Sequence, residues 1–216
     1  MIRAVVPAKT LAEAKGRLAS ILSASERREF VLSMLEDVLT ALLSVRAISG
    51  VSVVSPDREV LGLAGRLGAT PIAESANVRG MNQALNRAVS AMSPAPDALV
   101  VVLADLPEIT RADVERLLAE LPEHGAAACP STDGGTSALA LQPPGVIPFR
   151  FGPDSFAAHR REAQRSGVEF REVRLQSLAL DMDTPEDLRD LLSRPALTAT
   201  QRLLDRMKVA DRLAVA

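Results

Sequence analysis

Hydrophobic positions along the chain fall into short blocks divided by polar turns, and the blocks alternate between two spacings. Residues 2–6 form an apolar run stopped by Pro7. A polar loop follows, and from 25 to 45 apolar side chains recur at helical spacing: Phe30, Val31, Met34, Leu35, Val38 and Leu42. Ser25, ahead of Glu26 and Glu29, fits an N-cap with an acidic first turn. The rhythm then repeats as a strand over 51–54, a helix over 59–67 closed by Gly68, and a strand over 70–73. A helix over 81–92 leads to 98–104, an unbroken apolar run of the kind buried on both faces in a parallel sheet. Thr110 caps a helix reaching 121. Strands follow over 126–129 and 138–141, then a helix over 155–165 and strands over 170–175 and 178–180.

This alternation predicts a three-layer α/β/α sandwich around a mixed, mainly parallel sheet, with an antiparallel insertion among the closely spaced later strands. One domain spans 1–192, and 193–216 form a helical tail packed along the surface or against a second subunit, which leaves room for a homodimer.

Composition narrows the function classes. A net charge of -2 with interspersed signs gives no basic stripe for a phosphate backbone, and five Phe with no Trp or Tyr offer few stacking platforms, so nucleic acid is not an expected partner. The longest apolar run is far short of the roughly 20 residues that cross a bilayer, and the N-terminus lacks a signal-peptide layout, so no membrane association is expected. The single cysteine, Cys129, cannot close an intrachain disulfide, which agrees with a reducing cytoplasm.

In an open parallel sheet ligands bind beyond the carboxyl ends of the strands. The loop after the first strand carries Lys9, Lys15, Gly16 and Arg17 in a chain that has only three Lys and otherwise uses Arg. Compact lysine charges around a turn suit phosphates, although a solvated basic loop has the same composition, and the Walker pattern is absent. The central strand ends at Asp105, which fits an oxygen ligand for a hard cation such as Mg²⁺ and equally a turn or cap residue. Asp181 and Asp183 share one face of an extended segment, while Thr184 and Pro185 also form a helix start that Asp183 would support. Between these carboxylates lie Gly134-Gly135-Thr136-Ser137, hydroxyls on a turn open to phosphate or carboxylate or simply a hairpin, and Gly152 to Ser155, an anion-binding helix start or a plain N-cap. With two His in the chain, no triad or zinc cluster assembles.

Six motifs in this order resemble the CofC family, the guanylyltransferases of coenzyme F420 biosynthesis. They are Pro7-x-Lys9, Arg79-Gly80-Met81-Asn82-Gln83-Ala84-Leu85, Ala104-Asp105-Leu106-Pro107, Gly134-Gly135-Thr136-Ser137-Ala138-Leu139, Phe151-Gly152-Pro153-Asp154-Ser155-Phe156 and Asp181-Met182-Asp183-Thr184-Pro185-Glu186-Asp187-Leu188. The motifs run to about Leu192 and do not reach the tail. The resemblance implies a nucleotidyltransferase-type fold and transfer of GMP from GTP, with Mg²⁺, to the phosphate of a three-carbon acid. That acid is 2-phospho-L-lactate in archaeal members, phosphoenolpyruvate in many bacterial ones and 3-phospho-D-glycerate in a variant. Ala- and Arg-rich usage fits a GC-rich bacterial genome and favours phosphoenolpyruvate. Ser137 stands where the archaeal pattern commonly has Asn, and Met81 where the family usually has Leu. On this resemblance Pro7, Lys9, Lys15, Arg17, Gly80 and Asn82 meet GTP, and Thr136, Gly152 and Ser155 hold the acceptor. Asp105 and Asp183, with Asp181 as the alternative, hold the metal, and Lys15 joins the two aspartates in catalysis. Other classes share these features: a molybdenum-cofactor guanylyl- or cytidylyltransferase, and a non-catalytic GTP-binding module.

Overall fold

The computed structural model describes residues 1–13, 15–74, 80–194 and 197–215. In chain order the elements are β1 (Ile2–Pro7), two short 3-10 turns (Leu11–Glu13 and Gly16–Leu18), α1 (Ala24–Ser44), β2 (Ile48–Ser55), α2 (Arg58–Arg66), β3 (Thr70–Ala73), α3 (Met81–Ser90), β4 (Ala98–Val102) and α4 (Arg111–Ala119). There follow β5 (Gly125–Pro130), β6 (Thr136–Gln142), α5 (Ser155–Ser166), β7 (Glu169–Glu172), a 3-10 turn (Gln176–Leu178), α6 (Pro185–Ser193), α7 (Ala199–Arg206) and α8 (Val209–Val215).

The seven strands form one sheet in the order β3-β2-β1-β4-β6-β5-β7. Only the pairings made by β6, with β4 and β5, are antiparallel, so the mixed, mainly parallel sheet of the sequence reading is present and its insertion is the single reversed strand β6. This reversal brings the amino end of β6, with Thr136, to the same sheet edge as the carboxyl ends of β1 and β4.

Period-two alternation divides the central strands between two apolar layers. Ala4, Val6, Val100 and Val102 face one core with α1 and α4, whereas Val5, Leu99 and Val101 face another with Ala84, Leu85, Phe156 and Ala163. Every residue of β4 is buried for this reason. A third cluster unites Leu18, Ile21 and Leu22 of the first loop with Phe30 and Met34 of α1, Met182, Leu188 and Leu191 around α6, and Leu203, Leu204, Val209 and Leu213 of α7 and α8. Deleting one such leucine side chain costs about 2–5 kcal/mol.

Several boundaries differ from expectation. α1 is capped by Ser23, not Ser25, because Ser23-x-x-Glu26 completes a reciprocal capping box. The central strand stops at Val102, where Leu103 N–H turns to the Ser137 carbonyl. The strand predicted over 170–175 ends at Glu172, and the one over 178–180 is replaced by the 3-10 turn at Gln176–Leu178. Thr110 and Thr184 cap their helices as predicted, each in a capping box, with Asp113 and Asp187.

Candidate functional site

The basic loop folds back over the sheet edge because its apolar and polar residues are both tied down. Leu11 is buried in the main core, and its N–H donates to Asp57 Oδ2 at 3.0 Å, at the carboxyl end of β2. Leu18 is buried beneath the second 3-10 turn, while Lys15 precedes that turn in the left-handed region at φ 55°.

From there Lys15 Nζ donates to Asp105 Oδ2 and to Asp183 Oδ1, both at 2.7 Å. The three side chains come from stretches 90 and 168 residues apart. Lys15 is the covered member, its side chain 8% exposed, while Asp105 and Asp183 are 29% and 49% exposed and so open the cluster to solvent. Burial works against the ammonium, yet the Asp105 and Asp183 charges outweigh it and hold Lys15 above its ordinary value, so it stays protonated.

Asp181 completes the acidic side. Burial first, and then the charges of Asp105 and Asp133, push its carboxyl up to about 7, and its Oδ1 is buried without a hydrogen-bond partner. The predicted extended segment is not a strand here; Asp183 N–H turns back onto the Asp181 carbonyl at 3.1 Å and onto Asp187 Oδ2 at 3.0 Å. That turn, rather than strand alternation, brings the Asp183 carboxylate to Lys15 and leaves Asp181 buried beside the cluster. The supporting role of Asp183 at the helix start is real as well, but it uses the backbone and leaves the carboxylate free to reach the lysine.

The turn between β5 and β6 lies alongside. Thr132 N–H donates to the Ala179 carbonyl at 2.9 Å, and Asp133 Oδ1 accepts from Gly135 N–H at 2.8 Å and from the Ser131 hydroxyl, which hold its carboxyl below the usual range. A Cβ at Gly135 would stand 2.6 Å from Ser131 Oγ and 2.9 Å from Asp133 Oδ1, so a larger residue there would displace this pair. Thr136 and Ser137 then point to opposite faces of β6. Ser137 Oγ donates to the Cys129 carbonyl at 3.2 Å, which removes it from the ligand-binding hydroxyls suggested by the sequence. Thr136 Oγ1 instead meets Ser155 Oγ at 3.2 Å and His159 Nδ1 at 3.0 Å.

Ser155 is not an N-cap. Asp154 holds that position at φ 52° without a side-chain cap, and Ser155 is the first helical residue, buried, with its hydroxyl turned to Thr136 and its N–H to the Gly152 carbonyl. Asn82 is spent nearby: its amide pairs with both backbone groups of Phe151, at 2.8 and 2.9 Å, fastening the start of α3 to the Gly152 turn. Gly80 precedes it at φ 81°, ψ 166°, a conformation reserved for glycine.

The structure thus brings together Lys15, Asp105, Asp181 and Asp183, and separately Thr136, Gly152 and Ser155. Pro7 is buried at the end of β1, whereas Lys9 and Arg17 are exposed and form no ion pair among the described residues. Arg79 lies outside the described residues. His159 was not among the expected site residues; its spacing of four from Ser155 on one helix face was the available signal. Two surface hollows, of about 420 Å³ along α3 and about 280 Å³ between α1 and α7, contain none of these residues.

Solved structures share this architecture. A crystal structure from Desulfovibrio desulfuricans described as a nucleotide-diphospho-sugar transferase superposes with a TM-score of 0.81 over 99% of this chain and 97% of that one, at 18% identity. A nucleotidyl transferase from Methanothermobacter follows at 0.65 over 88% and 95%, at 17% identity. Among sequence relatives, a phosphoenolpyruvate guanylyltransferase from Sphaerobacter thermophilus is 46% identical over 87% of this chain and 91% of its own. A 2-phospho-L-lactate guanylyltransferase from Methanothermobacter thermautotrophicus is 35% identical over 88% and 83%. A 3-phospho-D-glycerate guanylyltransferase from Phenylobacterium zucineum is 36% identical over 96% and 97%. The family model for CofC-like guanylyl transferases matches residues 2–213, which includes the tail helices that the sequence motifs did not reach. The chain therefore belongs to the CofC-like guanylyl transferase family.

Proposed function

We propose that this protein transfers GMP from GTP to the phosphate of a three-carbon phospho-acid, phosphoenolpyruvate before 2-phospho-L-lactate or 3-phospho-D-glycerate, with release of pyrophosphate, as a step of coenzyme F420 biosynthesis in the cytoplasm. The observation that carries this reading is the ammonium of Lys15 held at 2.7 Å from both Asp105 and Asp183, at the carboxyl edge of the sheet where nucleotides bind in such folds. Among the relatives, the 46% identical one is named for phosphoenolpyruvate, which supports that order of acceptors.

The chemistry asks for positioning more than for acid–base catalysis. An oxygen of the acceptor phosphate, already ionised near neutral pH, forms a bond to the α-phosphorus of GTP. The bond from that phosphorus to the bridging oxygen breaks, and both its electrons leave with pyrophosphate. No side chain has to remove a proton, in keeping with a site built from Lys and Asp. Lys15, fixed by two carboxylates, is placed to offset charge on the phosphates without reorganising. Lys9 and Arg17, exposed on the same loop, extend that positive edge.

The residues present fit a magnesium ion. Asp105 and Asp183 both reach the Lys15 ammonium and keep their remaining carboxylate oxygens for a further cation, and the buried Asp181 Oδ1 is an oxygen still lacking a partner. These are hard donors of the type Mg²⁺ prefers. Among the described residues no group of three or more His, Cys, Asp or Glu is arranged to hold a metal; Mg²⁺ is commonly held by one or two carboxylates together with substrate phosphates and water. Bound there, magnesium would supply positive charge to the α-phosphate and the departing pyrophosphate.

Among the described residues no helix is long and apolar enough to cross a membrane. The test is pyrophosphate release from GTP and Mg²⁺ with each of the three acids in turn, and Asp105→Ala as control. Release with one acid that falls about 10²-fold or more in the control is expected. GTP binding without release for any acid refutes the reading in favour of a non-catalytic GTP-binding role.

A further inference from the structure

His159 is fully buried, and both ring nitrogens are engaged. Nε2 lies 2.9 Å from the backbone N–H of Arg150. An amide N–H can only donate, so Nε2 carries a lone pair and the ring proton sits on Nδ1. The ring is fully buried, with the Phe151 ring packed edge-on against it at 5.0 Å between centroids. Nδ1–H therefore donates to Thr136 Oγ1, 3.0 Å away. Burial, and then the Arg150 charge, outweigh the pull of Glu162 and lower the imidazole to about 4, so it is neutral in the cell.

The proton count at the hydroxyls follows. Thr136 and Ser155 own two O–H protons, and one closes the bond between them. The other has no acceptor among the described residues. It is unspent because His159 donates; with the ring proton on Nε2, Nδ1 would take the Thr136 proton, Thr136 would take that of Ser155, and the pair would present lone pairs only. The histidine tautomer thus decides whether this buried pair of hydroxyls has a proton left to donate or presents lone pairs only.

We infer that His159 is a positioning residue, whose Nδ1–H, fixed by the Arg150 amide, turns the one unspent proton of the Thr136–Ser155 pair toward an anionic oxygen of the acceptor. This rests on the reading that Thr136 and Ser155 face the acceptor, and it adds that the atom they hold is a carboxylate or phosphate oxygen, never a donor. The imidazole itself touches no substrate.

Two measurements test it. In a His124→Gln background His159 is the sole histidine, and the ¹⁵N spectrum of its ring at pH 7 is expected to show a protonated Nδ1 and an unprotonated Nε2, with the Nδ1–H signal shifting when phosphoenolpyruvate, GTP and Mg²⁺ are added. The opposite tautomer, an imidazolium, or a signal indifferent to all three acids overturns the inference. In kinetics, His159→Leu is expected to raise the acceptor KM about 10-fold with the GTP KM within about 2-fold, and His159→Asn, whose amide N–H stands close to the place of Nδ1–H, to recover most of that loss. Equal changes in both KM values, or no rescue by Asn, mark a merely structural histidine. Should the Leu variant not fold, the Asn variant and the spectrum still decide. A wild type that releases no pyrophosphate with any acid refutes the proposed function instead, and the ring spectrum is read independently of it.

Discussion

As the pH falls from 7 to 4, His159 should withdraw its own contribution to the stability of this fold. His159 is held to about 4, against an ordinary value near 6.5. In the unfolded chain the ring takes up its proton below about 6.5, whereas the native ring refuses it until about 4, so within that window the unfolded state binds more protons and stability falls as pH falls. A gap of about 2.5 units at about 1.4 kcal/mol per unit is roughly 3 kcal/mol at most, a large part of the 5–15 kcal/mol of a typical domain. Asp181 acts in the opposite sense over nearly the same range. Its carboxyl, raised to about 7, stabilises the fold fully only below about 4 and loses that contribution as pH rises to 7. The signature is therefore the difference between wild type and His159→Asn, in which Asp181 cancels. Urea unfolding of both proteins at pH 7, 6, 5 and 4 is expected to show the wild type losing up to about 3 kcal/mol more than the variant. Parallel curves would refute the assignment of a buried, neutral, doubly engaged imidazole.

Further outcomes follow from other contacts. Lys15→Met removes the ammonium from Asp105 and Asp183 and is expected to lower kcat by about 10²–10³-fold, read in the pyrophosphate assay, with the far-ultraviolet circular dichroism unchanged. Asn82→Ala frees both backbone groups of Phe151, and thermal unfolding should register about 1–3 kcal/mol of lost stability. Its KM for the acceptor should rise while that for GTP stays near wild type, the reverse of what a nucleotide ligand would give. Gly125→Ala would set a Cβ 2.3 Å from the Glu169 carbonyl oxygen, between β5 and β7, and is expected to destabilise by several kcal/mol in the same melting experiment. Asp37→Ala strips the acceptor from the N–H groups of Ala199 and Thr200 at the start of α7, and should cost about 1 kcal/mol.

The sheet was legible because unbroken apolar runs and the capping residues are local signals, as at β4 and at Thr110 and Thr184. Asp105 stood out for a related reason: a carboxylate closing an apolar run marks a strand end. The resemblance named Lys15 and Asp183, but nothing local says that they meet; their contact needs the 3-10 turn at Gly16–Leu18 and the turn at Asp181, both set by packing. Ser155 resembles a cap in the sequence because a serine opens the helical pattern, and only the position of β6 shows its hydroxyl bound to Thr136. His159 belongs to no triad or metal-ligand pattern in the sequence. A histidine that orients hydroxyls has no spacing pattern beyond its helix face, and its significance lies in the tautomer imposed by the Arg150 amide.

The third apolar cluster ties the timing of the site to the far end of the sequence. Leu18 and Met182, which underpin Lys15 and Asp183, share that cluster with Leu203, Leu204, Val209 and Leu213, and Arg212 reaches the Ile21 carbonyl and Glu26. During synthesis, the segment bearing Lys15 must wait for its carboxylate partner 168 residues later, and then for α7 and α8 to cover the base on which both rest. A nascent chain that has completed every strand of the sheet still lacks the Lys15–Asp183 contact and the apolar base beneath it. That contact therefore belongs to the whole polypeptide and is finished only after the α/β framework has formed.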